Sequence, residues 1–238
     1  MGLSIHYYLT APSDTDAAQA GDLVRQLRRQ ALVYRRRGRV DNVGPLRSDP
    51  ASLRQAREYK CIPVPGRPGN AWEVEVRPTE GFLFMVAVGE DCEPLPLALC
   101  RYPATVVWQG QRHGTGRRGW YFHGFSKTQY ASLHGWEHFR RCHTAVIDLL
   151  AAARSIGWRV VIHDEGEYWP GRDLEALRRG LDEMNGVVAA AAGALKDWGE
   201  DREGSPVQSP ILSHPHFERL EAEGAARGHA ARLRKVLP

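Results

Sequence analysis

The chain has 238 residues, 42% of them hydrophobic and 25% charged, with a formal net charge of +4 and a pI near 9.0. That composition is enough for a full core and excludes a disordered polyelectrolyte, and no apolar run is long enough for a membrane span, so no membrane partner is expected. The four cysteines form no CxxC pair, which argues against a structural zinc site and, with no leader pattern at the start, for a reducing, cytoplasmic setting.

Leu3, Ile5, Tyr7 and Leu9 alternate with Ser4, His6 and Tyr8, the period of a strand with one apolar face. A turn at Pro12, Ser13 and Asp14 follows. Ser13 and Asp16 have capping-box spacing for a helix whose stripe is Ala20, Leu23, Val24, Leu27 and Ala31, and Gly38 ends it after three arginines. A parallel arrangement would put residues 10–14 on the carboxyl edge of the sheet. Residues 25–60 hold eleven basic residues against Asp41, Asp49 and Glu58, a local balance of +8 that leaves −4 for the rest. A solvated arginine-rich face accounts for such a run; the functional alternative is contact with an anionic ligand or nucleic acid.

A short helix is expected at Asp49 and Pro50, and residues 61–70, with three prolines and two glycines, read as an irregular connector. From Trp72 the period becomes two, in short runs broken by turns, which predicts an antiparallel meander over 72–125. The stretch 110–119, GQRHGTGRRG, reads as an exposed basic hairpin tip; it matches no phosphate-loop spacing.

A strand at 120–125, a helix at 133–156 and a strand at 158–163 make a βαβ unit over 120–163. The carboxyl ends of parallel strands share one edge, where ligands bind in such sheets. Lys127 and Tyr130 follow the first strand there; His163, Asp164, Glu165, Glu167, Tyr168 and Trp169 end or follow the second. His163, Asp164 and Glu165 offer imidazole and carboxylate ligands for a divalent metal ion. Crowding of Asp164, Glu165 and Glu167 would raise one carboxyl into general acid–base range, with Lys127 holding an anionic substrate. Tyr130, Tyr168 and Trp169 would supply apolar walls, and His123, alternating with Phe122, faces the layer opposite the core helix. The same acids also have a structural reading, as partners of Lys127 and as loop acids before a helix cap. His143, inside the apolar stripe of the central helix, reads as a hydrogen-bonded core residue.

Asp173 caps a helix running to about residue 198, a polar linker follows over 199–213, and a last helix ends basic. The expected domain is 1–198, with 199–238 a linker and helical appendage. The expected fold is α+β (mixed α/β): a central mixed sheet with a βαβ unit at 120–163, an antiparallel meander, and helices packed on the sheet. Two functions from different classes fit. One is a cytoplasmic enzyme or small-ligand binder at the sheet edge, such as a metal-assisted hydrolase of an anionic substrate. Its catalytic residues would be His163, Asp164, Glu165, Glu167 and Lys127, with His123, Tyr130, Tyr168 and Trp169 binding. The other is a non-enzymatic module holding a protein or nucleic acid through the aromatic edge and the basic segment.

Overall fold

The strands are β1 (Ser4–Thr10), β2 (Asn42–Val43), β3 (Glu58–Pro63), β4 (Ala71–Val76), β5 (Glu80–Ala87), β6 (Leu95–Arg101), β7 (Thr105–Trp108), β8 (Gln111–Gly114), β9 (Tyr121–Lys127) and β10 (Arg159–Asp164). The helices are α1 (Ala17–Arg36), α2 (Pro50–Leu53), α3 (Trp136–Ser155), α4 (Leu174–Glu200) and α5 (Phe217–Ala226). This computed structural model describes residues 3–67, 69–200 and 209–227, with the backbone alone at 197–200.

The fold is α+β. Six strands form one sheet of order β10-β1-β9-β6-β5-β2, and β3-β4 and β7-β8 are separate two-stranded ribbons. Every neighbouring pair in the main sheet is antiparallel, so that sheet is not mixed. The βαβ unit is nevertheless present in split form. β9 and β10 each run antiparallel to β1, so they are parallel to each other with β1 between them, joined through α3. Ser4 lies opposite Lys127 and Ile5 opposite Asp164, which puts both carboxyl ends on one edge. Because β1 runs the other way, Thr10 pairs with Tyr121 and Arg159, so the turn after it leaves from the opposite edge, not the carboxyl edge expected for residues 10–14.

Alternation builds the core: Leu3, Ile5, Tyr7 and Leu9 are buried on one face of β1, against α1 and α3. The cap of α1 is Asp16 with Gln19, three residues later than the expected box: each side chain accepts the other's backbone N–H at 2.8 Å. Asp49 caps α2, and Asp173 accepts from the N–H groups of Glu175 and Ala176 at the start of α4. The meander is carried by β5, β6 and β9. Residues 105–114 leave it as a hairpin that turns at Gln109 and Gly110, both at positive φ, so the expected loop at 110–119 is partly strand. The connector at 61–70 likewise begins as the end of β3, whose period-two signal is thin because its buried positions are Glu58, Lys60's neighbour Tyr59 being exposed, and Ile62.

Helices α1 and α3 cover one face of the sheet. On the other face, α2, the 3-10 turn after it and β3 cover β5 and β6 and reach the near side of β9: Leu53 sits over Gly81, Tyr102 Oη donates to Ala56 O at 2.7 Å, and His123 N donates to Glu58. The outer face of β9, β1 and β10 is left open. Residues 209–226 pack on α4, where Gly224 approaches Gly186 so closely that a Cβ on Gly224 would lie 2.1 Å from the Gly186 carbonyl oxygen. Of the linker expected at 199–213, residues 199–200 end α4 and Pro210–Ser213 form a 3-10 turn; residues 201–208, and the basic end with Arg232, Arg234 and Lys235, lie outside the described residues. No described helix is long and apolar enough to cross a membrane.

Candidate functional site

At the carboxyl edge the predicted residues are neighbours in the chain but not in direction. Asp164 turns inward and its side chain is fully buried; its oxygens accept from Gly166 N at 2.8 Å and Trp169 N at 2.9 Å, and Oδ1 lies 3.0 Å from His143 Nε2. That nitrogen has no well-aligned hydrogen bond, so the contact is electrostatic rather than a linear bond. On the other side of the ring, His143 Nδ1 is 2.8 Å from Thr128 Oγ1. Thr128, His143 and Asp164 therefore form a buried line. With no exposed surface on Thr128 or His143, the line ties the ends of β9, α3 and β10 together and offers no nucleophile to a ligand. Gly166 is part of this packing: a Cβ there would lie 2.7 Å from Leu177 and 3.0 Å from the His143 ring.

The other edge residues go elsewhere. Glu165 accepts from Ser4 N at 2.7 Å, and Glu167 is exposed at positive φ. His163 stands on the open face, edge-on to Tyr8 at 6.1 Å. His163, Asp164 and Glu165 thus do not converge on one cation, and among the described residues no cluster of three or more His, Cys, Asp or Glu has a metal-site arrangement. Lys127 pairs with Glu93 at 3.6 Å and not with the acids after β10. Tyr130 packs on the small cluster around Val188; Tyr168 meets the His143 ring edge-on at 6.3 Å, and Arg172 lies over both Tyr168 and Trp169. These aromatics are packing surfaces.

The open face brings a different set together. On β1 and β9, Tyr8 and His123 stack at 4.5 Å with 13° between ring planes, and His6 lies 6.4 Å from His123 and 5.7 Å from Phe125. Tyr8 is 37% exposed and Phe125 46%. The outward positions of the three strands are Ser4, His6, Tyr8 and Thr10, then Tyr121, His123, Phe125 and Lys127, then Arg159, Val161 and His163. None is a carboxylate. Arg117 lies over the Tyr121 ring at 4.8 Å, and Lys127 over Phe125 at 6.0 Å.

A cleft of about 670 Å³ adjoins these rings, between β9, β6 and β3. It exists because β6 and β9 separate. Their ladder register is confined to Cys100 opposite Tyr121, and the strands meet again only where Glu93 N donates to Lys127 O at 2.9 Å. Between those ties stand Pro94 and Pro96, which have no N–H to donate to β9. The Tyr7 hydroxyl, rising from the core, donates to the Pro96 carbonyl and closes the floor. Gly124 makes room for it, since a Cβ there would lie 2.5 Å from Tyr7 Oη.

Inside the cleft, Glu58 is 6% exposed. Its Oε2 takes a hydrogen bond from Arg117 Nη2 at 2.5 Å and its Oε1 one from His123 N at 3.2 Å. Burial pushes the Glu58 carboxyl above its ordinary value, against the opposing pull of Arg117 and the His123 N–H. Burial, followed by the charges of His6 and Arg117, holds His123 below the usual imidazole value. Arg57 and Tyr59, with Arg57 Nε donating to Tyr59 Oη at 3.1 Å, line the side facing the sheet.

No family model, curated protein or solved structure matches the chain. Of the predicted site residues, His123, Lys127 and His163 lie on the open face, and the structure joins to His123 a set the sequence did not single out: His6, Tyr8, Glu58, Arg117 and Phe125. Alternation along β1 and β9 marks His6, Tyr8 and Phe125 as outward-facing. No local signal marks Glu58, whose partner Arg117 is 59 residues away.

Proposed function

We propose that the protein binds single-stranded nucleic acid on the open face of β1, β9 and β10. The observation that carries this is the composition of that face: exposed and half-exposed rings at Tyr8, His123, His6, Phe125 and His163, cations at Arg117, Lys127 and Arg159, and no carboxylate at any outward position of the three strands. Rings give unstacked bases a surface, and cations beside them meet the phosphates. The long helices α1 and α3 lie on the opposite side of the sheet, which leaves that surface reachable. This is a binding function, of the second class inferred from the sequence, carried by the sheet face and not by the aromatic edge. The four free thiols fit work in a reducing compartment such as the cytoplasm.

The test is equilibrium binding of labelled single-stranded RNA and DNA oligonucleotides of mixed sequence, over a series of salt concentrations. Tyr8→Ala and Phe125→Ala should each weaken binding by about 1–3 kcal/mol, and log K should fall linearly with log salt. Absence of binding at low salt, or binding that the double substitution leaves unchanged, overturns the proposal.

A further inference from the structure

We propose that the cleft beside the ring face is a base pocket that prefers guanine, receiving one base turned out of the bound strand; this rests on the single-strand reading above. The cleft volume, about 670 Å³, lies in the range of small-ligand sites. It is contiguous with the ring face, because Tyr8, His123 and Phe125 belong to both. A strand crossing those rings passes the mouth of the cleft.

What the cleft offers a base is a fixed carboxylate. Glu58 is held by Arg117 and by the His123 backbone. Those two bonds use two of the roughly four acceptor positions of a carboxylate, leaving acceptor capacity in a cleft whose apolar walls include Pro94, Pro96 and Phe125 and whose other carboxylate, Glu93, is paired with Lys127. An acceptor-only group with two oxygens is matched by two adjacent N–H donors on one edge. Among the four common bases only guanine presents that pair, at N1 and N2. Adenine, cytosine and uracil each place an acceptor next to a donor on the pairing edge and would set a lone pair against the carboxylate. Arg57 has no carboxylate within ion-pairing distance among the described residues, and it lines the same cleft. It is available to O6 and N7, or to the adjoining phosphate. A further polar group stands close by: the hydroxyl of Tyr121, whose ring lies under Arg117, is out of reach of solvent and has no hydrogen-bond partner among the described residues.

A purely structural Glu58–Arg117 pair would show no base preference, and this separates the two cases. The experiment uses the full chain and short labelled strands that are identical except for one central position carrying guanine, adenine, cytosine or uracil. It also includes inosine, which keeps N1–H and lacks the N2 amino group, and free GMP as competitor. The guanine strand should bind about 5- to 150-fold more tightly than the other three, the discrimination of one good two-bond base contact. Inosine should lose most of that margin, and Glu58→Gln should reduce it. Because the base series is measured on the unaltered protein, misfolding of the Gln variant leaves the test intact. Equal affinity for all five strands overturns the pocket while leaving the ring-face proposal standing. Failure of every strand to bind overturns both. Binding of GMP with no base effect in the strands overturns the strand-borne pocket and makes the cleft a site for a free nucleotide.

Discussion

His123 occupies the seam between the ring face and the cleft, and its surroundings dictate how it responds to pH. Burial, then His6 and Arg117, keep its imidazole below the ordinary value, so it is neutral in the free protein at neutral pH. The other groups facing it are Tyr8, which is stacked on it, and Glu58, which accepts from its backbone. A phosphate beside the ring would favour the charged form, so the bound state takes up protons that the free state lacks. By linkage, affinity for a single strand should then rise as pH falls from 7.5 toward 5.5. NMR titration of the His123 imidazole should show a midpoint below the usual value, moving up when the oligonucleotide is bound; an unmoved midpoint with pH-independent affinity would remove His123 from the interface. The outward direction of His123 was legible, since Phe122 and His123 alternate on a strand. Glu58 was not: it counts as one of three acids in a strongly basic run, and only the fold brings Arg117 to it.

The edge where β9 and β10 end has the opposite character, because there the polar groups are consumed by the fold. Burial raises the Asp164 carboxyl, but the close contact with His143 and the N–H groups of Trp169 and Gly166 outweigh it and hold the group below the ordinary carboxylate value. A depressed carboxyl contributes stability that is present above its unfolded value and is lost as pH falls through the folded one. Asp164→Ala should therefore cost about 3–5 kcal/mol at pH 7, the usual loss when one partner of a buried pair is removed. Its penalty should shrink in strong acid, where the wild-type carboxylate is itself protonated. Urea denaturation of both proteins at pH 7 and pH 3 measures this; a change of under about 0.5 kcal/mol at pH 7, the level of an ordinary surface substitution, would show that Asp164 is free for another role. The sequence showed this edge correctly in topology, through the helix between two strands; its structural alternative, with the acids as partners of Lys127, did not foresee that Lys127 pairs with Glu93 and Asp164 with His143. It did not show direction. Three acids in four positions resemble a cluster on paper, but a turn sends Asp164 to His143 and Glu165 back to Ser4. The splitting of β9 from β10 by β1 was also beyond the chain order, because pairing with a strand over a hundred residues earlier leaves no local trace.

On the scale of the whole molecule, charge and shape are sorted onto different sides. The basic run at 25–60 divides: Arg25, Arg28, Arg29, Arg35 and Arg36 belong to α1, which packs on the face away from the rings, whereas Arg57 lines the cleft. Part of the run is already engaged, Arg25 with Asp22, Arg28 with the Gly44 carbonyl and Arg39 with Asp148. A net charge of +4 therefore says little about where an anion binds; the ring face, whose outward strand positions hold no carboxylate, says more. This sidedness is tested by an amide and side-chain NMR titration of the full chain with a short single-stranded oligonucleotide. The perturbed resonances should cluster at His6, Tyr8, His123, Phe125 and His163, with Arg57 and Glu58 beside them. Perturbation confined to the arginines of α1, or none at all at low salt, would contradict that sidedness.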